Sequence, residues 1–492
     1  MLWFLIVGAV CCLYVYLYLI KHPDDPGNIP VYPGRIPLLG NVSLFLGDPI
    51  ELWEKIKKVN EYAYNHGNVL VFYAATIPIY VITDPDDCNT VLSNCMHKPW
   101  IMKKYPRQLL GNGLLIGPAS VWKEHRKLIN PTFNQQVLDS FMGIFNAQSR
   151  RLVESWKDLV NKGAFDHHIH LEKNALETIC LTTAGIDISH QNDFNEKCLL
   201  AFRTVISSVV QRAKNPFYYS EKIYNMSALK KTEDFHVGIT HELTNRVLKR
   251  KREEYKTDAE NGIVNTNSET KFKPFLHRLL DLSNSVLSDK DIQDEMNNII
   301  LTGFETSSAV ICYTLLLLGT YPNIQEKCLK EIREVFGDSD RDVDKEDLPR
   351  LKYLEAVLKE TLRLCPVAPI TARAITEDIQ LKTTVLRKGH LCVISLYGAL
   401  NNPIWGSDVD QFIPERWLEP NRLPKNPNAF GAFGYGRRNC IGKVYAFMTM
   451  KVTLVHILRH YQITGNYNNM KLKNNGINKP AYGHEISLAL RQ

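Results

Sequence analysis

The run FGYGRRNCIG, residues 433–442, gathers the residue types best suited to holding a reactive centre. Gly434, Gly436 and Gly442 permit tight turns and close backbone approach. Cys440 stands just before an apolar helical stretch, with Arg437 and Arg438 ahead of it. Helix amides and nearby cations favour a thiolate, and a thiolate is a soft metal ligand. The bland reading of any single cysteine is a buried structural thiol. A phosphate-binding loop is excluded: the spacing from Gly436 to Gly442 and Lys443 is too long, and Val444 stands where Ser or Thr is needed.

A second constellation lies in the apolar segment 289–321, whose middle carries Thr302, Glu305, Thr306, Ser307 and Ser308. A carboxylate beside hydroxyls is costly to bury without a role; the alternative is a structurally paired Glu305. Glu360 and Arg363 are spaced to share a helix face. The run DHHIH at 166–170 offers imidazoles at metal-like spacing, but no carboxylate or cysteine partner is evident, so exposed histidines are expected.

The elements that must position these residues are mainly helical. Amphipathic segments cover roughly 49–66, 119–160, 170–186, 193–214, 232–256, 289–321, 323–336, 353–364 and 441–460. Short β-rich pieces fall at 68–83, 373–382 and 389–396, without the regular alternation of a doubly wound parallel sheet. Ser288 and Asp291 form a capping box for the long segment, which stops at Tyr321 before Pro322. The polar stretch 257–272 reads as a surface loop, and the basic run from Arg246 to Arg252 as a solvated helix face.

Composition sets limits on all of this. The 492 residues are 45% hydrophobic and 23% charged, ordinary globular values. The net charge of +7 is too mild for a dedicated nucleic-acid binder and suits an anionic membrane surface or an acidic partner. Eleven cysteines without a C-x-x-C or regular spacing argue against a disulfide framework or zinc module. Residues 1–20 are uncharged and, as a helix, ~30 Å long, enough to cross a bilayer. No basic residue precedes them and Lys21 follows, which reads as an uncleaved anchor with the bulk of the chain in the cytosol. Residues 21–41 hold five prolines and read as a stiff hinge before a globular body at 42–492.

Phe433, Gly436, Arg438, Cys440 and Gly442 together match the F-x-x-G-x-R-x-C-x-G signature of the cytochrome P450 superfamily. Other motifs follow in the family's order. Glu360 and Arg363 in LKETLRLCP resemble its E-x-x-R pair, with Arg416 in FIPERW as third partner. Trp122 and Arg126 in WKEHRK resemble its W-x-x-x-R element, and Gly303, Glu305 and Thr306 its acid–alcohol element. PGRIPLLGN is similar to the hinge of microsomal members, and the chain as a whole looks most like the family-four clan of insects.

The resemblance implies a mainly α fold with a small β portion, and Cys440 as the proximal thiolate of a haem iron. It implies Trp122, Arg126, Arg373 and Arg438 as propionate partners, Phe433 as a shield for the sulfur, and Gly442 as the point of close helix approach. Thr306 and Glu305 would deliver protons during oxygen activation, while Glu360, Arg363 and Arg416 would be structural. Many members of that clan carry a glutamate that esterifies the haem; Thr302 stands there, so non-covalent haem b is expected. No dinucleotide fingerprint is visible, and the resemblance implies electrons from a separate NADPH-dependent cytochrome reductase, with cytochrome b5 as a further partner. It also implies an endoplasmic reticulum membrane location and a lipophilic substrate. A haem-thiolate isomerase or dehydratase, or a haem-binding sensor, are the competing readings; relatives of the first kind tend to lose the acid–alcohol pair that this chain keeps.

Overall fold

The computed structural model describes residues 2–21, 29–188, 192–260, 275–283 and 287–491. Helices dominate and the strands are short. The chain forms two compact units: Met1–Pro99 with Ala368–Gln411 and Asn421–Asn439, and Trp100–Val367 with Phe412–Pro420 and Cys440–Gln492.

The first unit is built on a four-stranded sheet. Val69–Ala74 and Ile77–Ile82 form an antiparallel hairpin; Leu391–Ser395 runs parallel to the second strand, and Ile370–Ala374 closes the order as its antiparallel neighbour. Alternation puts Val69, Val71 and Tyr73 in one apolar cluster, and Leu70 and Phe72 in another with Val59 and Ala63. Both faces are covered, which is why these strands read as continuous apolar runs. Val59 and Ala63 belong to the helix Pro49–Asn65, which starts where the Asp48 carboxylate accepts the amides of Ile50 and Glu51 at 2.8 and 2.9 Å. The later part of the expected hinge is not a free spacer. Tyr32 N donates to Val71 O at 2.8 Å and Val71 N to Pro30 O at 2.9 Å, which fastens it to the hairpin. Pro23 and Pro26 lie outside the described residues. The helix Leu2–Lys21 precedes them and exposes Trp3, Leu5, Ile6, Val10 and Leu13.

The second unit surrounds the helix Asp289–Thr320, with the capping box at Ser288 and Asp291 in place. This helix is long and apolar enough to cross a membrane, but 83% of its apolar window is buried, so it is the core of the unit. The helix His167–Ala184 and the strand Tyr461–Gly465 pack on it. That strand pairs with Ile486–Leu490, and Lys471–Asn474 pairs with Asn478–Tyr482. The sequence reading did not include these four- and five-residue strands, although Tyr461–Gly465 and Ile486–Leu490 alternate buried and less buried residues.

Two expectations about boundaries are corrected. The segment 119–160 is three helices, Ala119–Ile129, Gln135–Asp139 and Met142–Trp156, not one. Pro131 lacks an amide hydrogen and sits in a tight turn over Asn130–Phe133 that breaks the run. The helix Ala228–Glu260 extends into the stretch read as a loop from 257; positions 261–272 lie outside the described residues.

Candidate functional site

In the second unit Cys440 lies just ahead of the helix Lys443–His460. The Gly442 amide donates to its sulfur, and the Arg126 and Lys443 charges also favour the thiolate. Burial works the other way and is the largest influence, so the thiol sits above its ordinary value. Helix amides and cations alone therefore do not ionise it, contrary to the simple expectation. Cys440 is nonetheless exposed. Its sulfur is therefore open to a ligand. In the first unit the loop before it turns at Gly436, whose φ is +65° and where a Cβ would collide with the carbonyl of Leu92. No other residue type fits both constraints.

Arg126 is one turn from the buried Trp122 on the helix Ala119–Ile129, so the two share a face. Burial lowers the Arg126 pKa, and the Cys440 thiolate charge opposes that shift. The first unit holds the other two expected arginines together with a cation the sequence reading missed. Burial, then the charges of Arg373 and Arg438, push Lys98 down to about 7. Burial brings Arg373 down to about 10, and burial followed by the Arg373 charge does the same to Arg438. Arg373 is fixed by Nε donating to Cys95 O at 3.0 Å and Nη1 to Ala372 O at 2.9 Å. Three mutually repelling cations, Arg373 buried and Lys98 and Arg438 half-buried, suit a ligand with more than one carboxylate. The cation set of the first unit fits the propionates of haem, and the exposed Cys440 thiol of the second unit fits its iron.

On the central helix Thr302 and Thr306 are spaced four apart and both are half-buried. Thr306 Oγ1 donates to Thr302 O at 2.7 Å, and Thr302 Oγ1 to Asn298 O at 2.7 Å. Glu305, about 100° round the helix, is buried and points elsewhere. Its Oε1 accepts from Lys479 Nζ, which also lies 3.3 Å from Glu172 Oε1, while Arg203 pairs with the other Glu172 oxygen. Two carboxylates and two cations thus form a charge-balanced network. Lys479, Glu172 and Arg203 were not legible in the sequence, because they come from three distant segments and no local motif marks them.

Glu360 is fully buried and saturated. It accepts from Arg363 Nε at 3.0 Å and Nη2 at 2.9 Å, Arg416 Nε at 3.2 Å, Trp417 Nε1 at 2.9 Å and the Ile413 amide at 3.1 Å. This is a structural node. Glu360→Gln should lower the unfolding free energy by about 3–5 kcal/mol, since it takes the shared carboxylate charge from the buried Arg363 and Arg416; a denaturant titration reads it, and a loss under about 1 kcal/mol would contradict the node.

The histidines at 166–170 are corrected. His167 and His168 are buried, not exposed. His167 Nε2 lies 3.1 Å from Cys312 O. Asp166 caps the helix His167–Ala184 and its Oδ1 is 2.9 Å from His484 Nε2. Among the described residues no group of His, Cys, Asp and Glu has metal-binding geometry.

Residues 30–487 match the family model described as Cytochrome P450. Cytochrome P450 4V2 of Pongo abelii is 32% identical over 94% of this chain and 90% of its own length. Probable cytochrome P450 313a1 of Drosophila melanogaster is 29% identical over 94% and 92%, and cytochrome P450 4c21 of Blattella germanica 28% over 93% and 93%. The chain belongs to the cytochrome P450 family. Its members are haem-iron monooxygenases, and its relatives include family-four proteins of mammals and insects.

Proposed function

We propose that this protein is a membrane-anchored monooxygenase that inserts one atom of O2 into a lipophilic small molecule: R–H, O2, two electrons and two protons give R–OH and water. The observation that carries the reading is Cys440, an exposed sulfur that accepts the Gly442 amide and lies near the Arg126 and Lys443 charges. Haem b, when bound, supplies the iron chemistry that activates dioxygen. Cys440 would ligate its iron through the thiolate. Trp122, Arg126, Arg373, Arg438 and also Lys98 would hold the propionates. Phe433 shields the sulfur. Gly442 leaves room on that side, where a Cβ would meet no protein atom nearer than the Cys440 sulfur at 3.9 Å. Thr306 keeps a proton at Oγ1, and Glu305, held by Lys479, relays protons toward it. Thr302 offers no carboxylate for a haem ester and its hydroxyl is engaged with Asn298 O. Acidic organic extraction should therefore release all the haem; haem retained on the polypeptide contradicts this.

Electrons come from a separate NADPH-dependent flavoprotein reductase, with cytochrome b5 as a second donor. Arg437 and Lys443 are exposed and suit an acidic docking face. Residues 1–20 are the anchor, 21–41 the hinge and 42–492 the catalytic domain, which faces the cytosol from the endoplasmic reticulum membrane. The apolar exposed face of Leu2–Lys21 supports this, as do exposed Phe217, Ile223 and Met226 in the second unit. Val367 and Pro369 are buried and apolar and lie in a segment that matches pocket-lining residues of the family, which favours a lipophilic substrate. Reconstitution with reductase and NADPH tests the reading: oxygenated product that depends on NADPH supports it, and rearranged product formed from a peroxide without reductase replaces it with an isomerase.

Lys98 gives a pH-dependent expectation. Its folded pKa lies near 7, below the ordinary 10.5. The unfolded chain therefore binds more protons between those values, so haem-free protein gains stability as pH rises through that window. Lys98→Met should flatten this rise in denaturant titrations. It should also speed haem loss to a scavenger protein by about 10-fold, the worth of one hydrogen bond to a charged group. An unchanged pH profile and an unchanged haem-loss rate would remove Lys98 from the site.

A further inference from the structure

The first half of the central helix carries a row of polar side chains, Asp294, Glu295, Asn297 and Asn298, all buried. None belongs to the acid–alcohol element. Each is spent on loop 109–117, the segment that leads into the Trp122 helix. Asp294 Oδ2 accepts the Asn112 amide at 2.9 Å, Glu295 Oε2 the Leu114 amide at 3.1 Å, and Asn298 Oδ1 the Leu115 amide at 3.0 Å. In the other direction Asn297 Nδ2 donates to Leu109 O at 3.2 Å and Asn298 Nδ2 to Leu110 O at 2.8 Å. Five side-chain bonds thus hold the backbone of 109–117, of which only Leu109 and Leu110 belong to a helix, the short Arg107–Leu110.

Two further features show that the fit is built from both sides. A Cβ at Gly111 would collide with the Asp294 carboxylate, and one at Gly113 with the Asn298 amide. The loop is glycine where the helix side chains reach it. The second Glu295 oxygen, Oε1, lies 2.7 Å from His125 Nδ1. His125 precedes Arg126, so one buried carboxylate ties both the loop and the Trp122 helix to the central helix. Asn298 links the loop to the candidate catalytic face as well, since its carbonyl accepts the Thr302 hydroxyl at 2.7 Å.

The geometry points to a latch: Asp294, Glu295 and Asn298 are positioning residues that hold loop 109–117 as a fixed wall of the substrate site and so limit the size of molecule admitted. The wall's role rests on the function proposed above; the latch itself does not. Buried side-chain acceptors cost desolvation unless they are used, and here every one of the three is used on the same loop. Releasing one rung frees amides that have no alternative partner in a strand or helix, so the loop should open locally before the protein unfolds.

Hydrogen exchange by mass spectrometry on the full-length, haem-loaded protein tests the latch. In Asn298→Ala the peptide spanning 109–117 should exchange about 10-fold faster, the worth of one lost net hydrogen bond, with the strand Val69–Ala74 unchanged. Gly113→Ala, which pushes on the same rung from the loop side, should do the same. Glu295→Gln keeps an acceptor for the Leu114 amide and should exchange like the parent. Spectral titration with 4-phenylimidazole and the bulkier clotrimazole then reads the wall: the latch variants should shift the ratio of dissociation constants toward clotrimazole by about 10-fold, matching the loss of the same bond. Unchanged exchange at 109–117 in both latch variants overturns the latch. Faster exchange with an unchanged ligand ratio overturns the wall. A parent protein without a thiolate-type carbon monoxide spectrum refutes the haem-thiolate reading while leaving the exchange result to decide the latch.

Discussion

Cys440→Ser should abolish the strongly red-shifted Soret band that thiolate-ligated haem shows when reduced and exposed to carbon monoxide, and monooxygenase turnover with it. Serine nearly preserves the size of the side chain and the hydrogen bond from the Gly442 amide. What it removes is the soft, electron-donating sulfur. The structure explains why no other cysteine should substitute. Cys88, Cys95, Cys180, Cys198, Cys312, Cys328, Cys365 and Cys392 are all buried, and Cys11 and Cys12 sit on the first helix. Burial pushes the thiols of Cys180 and Cys392 far up, and neither lies beside an arginine and a lysine that both favour ionisation, as Cys440 does. The measurement is a reduced carbon monoxide difference spectrum of purified variant, with haem content assayed separately so that a lost band is not confused with lost haem. A variant that kept the parental band would falsify the ligand assignment.

What the sequence made legible were groups that sit close together along the chain. The cysteine loop, the Glu305–Thr306 pair and the Glu360–Arg363 pair each lie within a few residues, and each is set by one helix or turn. The period of the apolar residues then located the helices that carry them. Contacts made across the chain left no such mark. Lys479 reaches Glu305 from a strand of the C-terminal pair, which the sequence pattern did not show, and Glu172 and Arg203 join from two further helices. Lys98 stands in an ordinary KPW tripeptide; only folding places it under the charges of Arg373 and Arg438. His167 and His168 read as exposed because a polar run at a helix start usually is, yet the Cys312 carbonyl and neighbouring side chains bury them. The break at Pro131 was open to sequence reasoning, since proline interrupts a helix wherever its missing amide would be used; the amphipathic period on either side masked it.

Thr306→Ala should separate electron consumption from product formation. The hydroxyl is half-buried on the face shared with Thr302, and its proton now rests on the Thr302 carbonyl at 2.7 Å. A rotation about χ1 would turn that hydroxyl away from the carbonyl and free its proton for a ligand beside the helix. Glu305 cannot do this itself. Adjacent helix positions differ by about 100°, and its carboxylate is tied to Lys479 on another side. On the function proposed above, the two residues would divide the work, Glu305 recharging and Thr306 donating. Alanine is the better helix former, so the variant should fold at least as stably as the parent, and the thiol, the arginines and Lys98 are untouched. NADPH oxidation in the reconstituted system should continue near the parental rate. Product should fall by about 10²–10⁴-fold, roughly 3–5 kcal/mol of lost general acid catalysis, and the missing electrons should appear as hydrogen peroxide. Thr306→Ser keeps the hydroxyl and should restore most of the coupling, which a purely steric role for threonine would not predict. A peroxide-supported assay should suffer less, because it does not depend on protonating dioxygen. Parental coupling of NADPH to product in Thr306→Ala would remove this residue from proton delivery and leave a water on the Glu305 side as the donor.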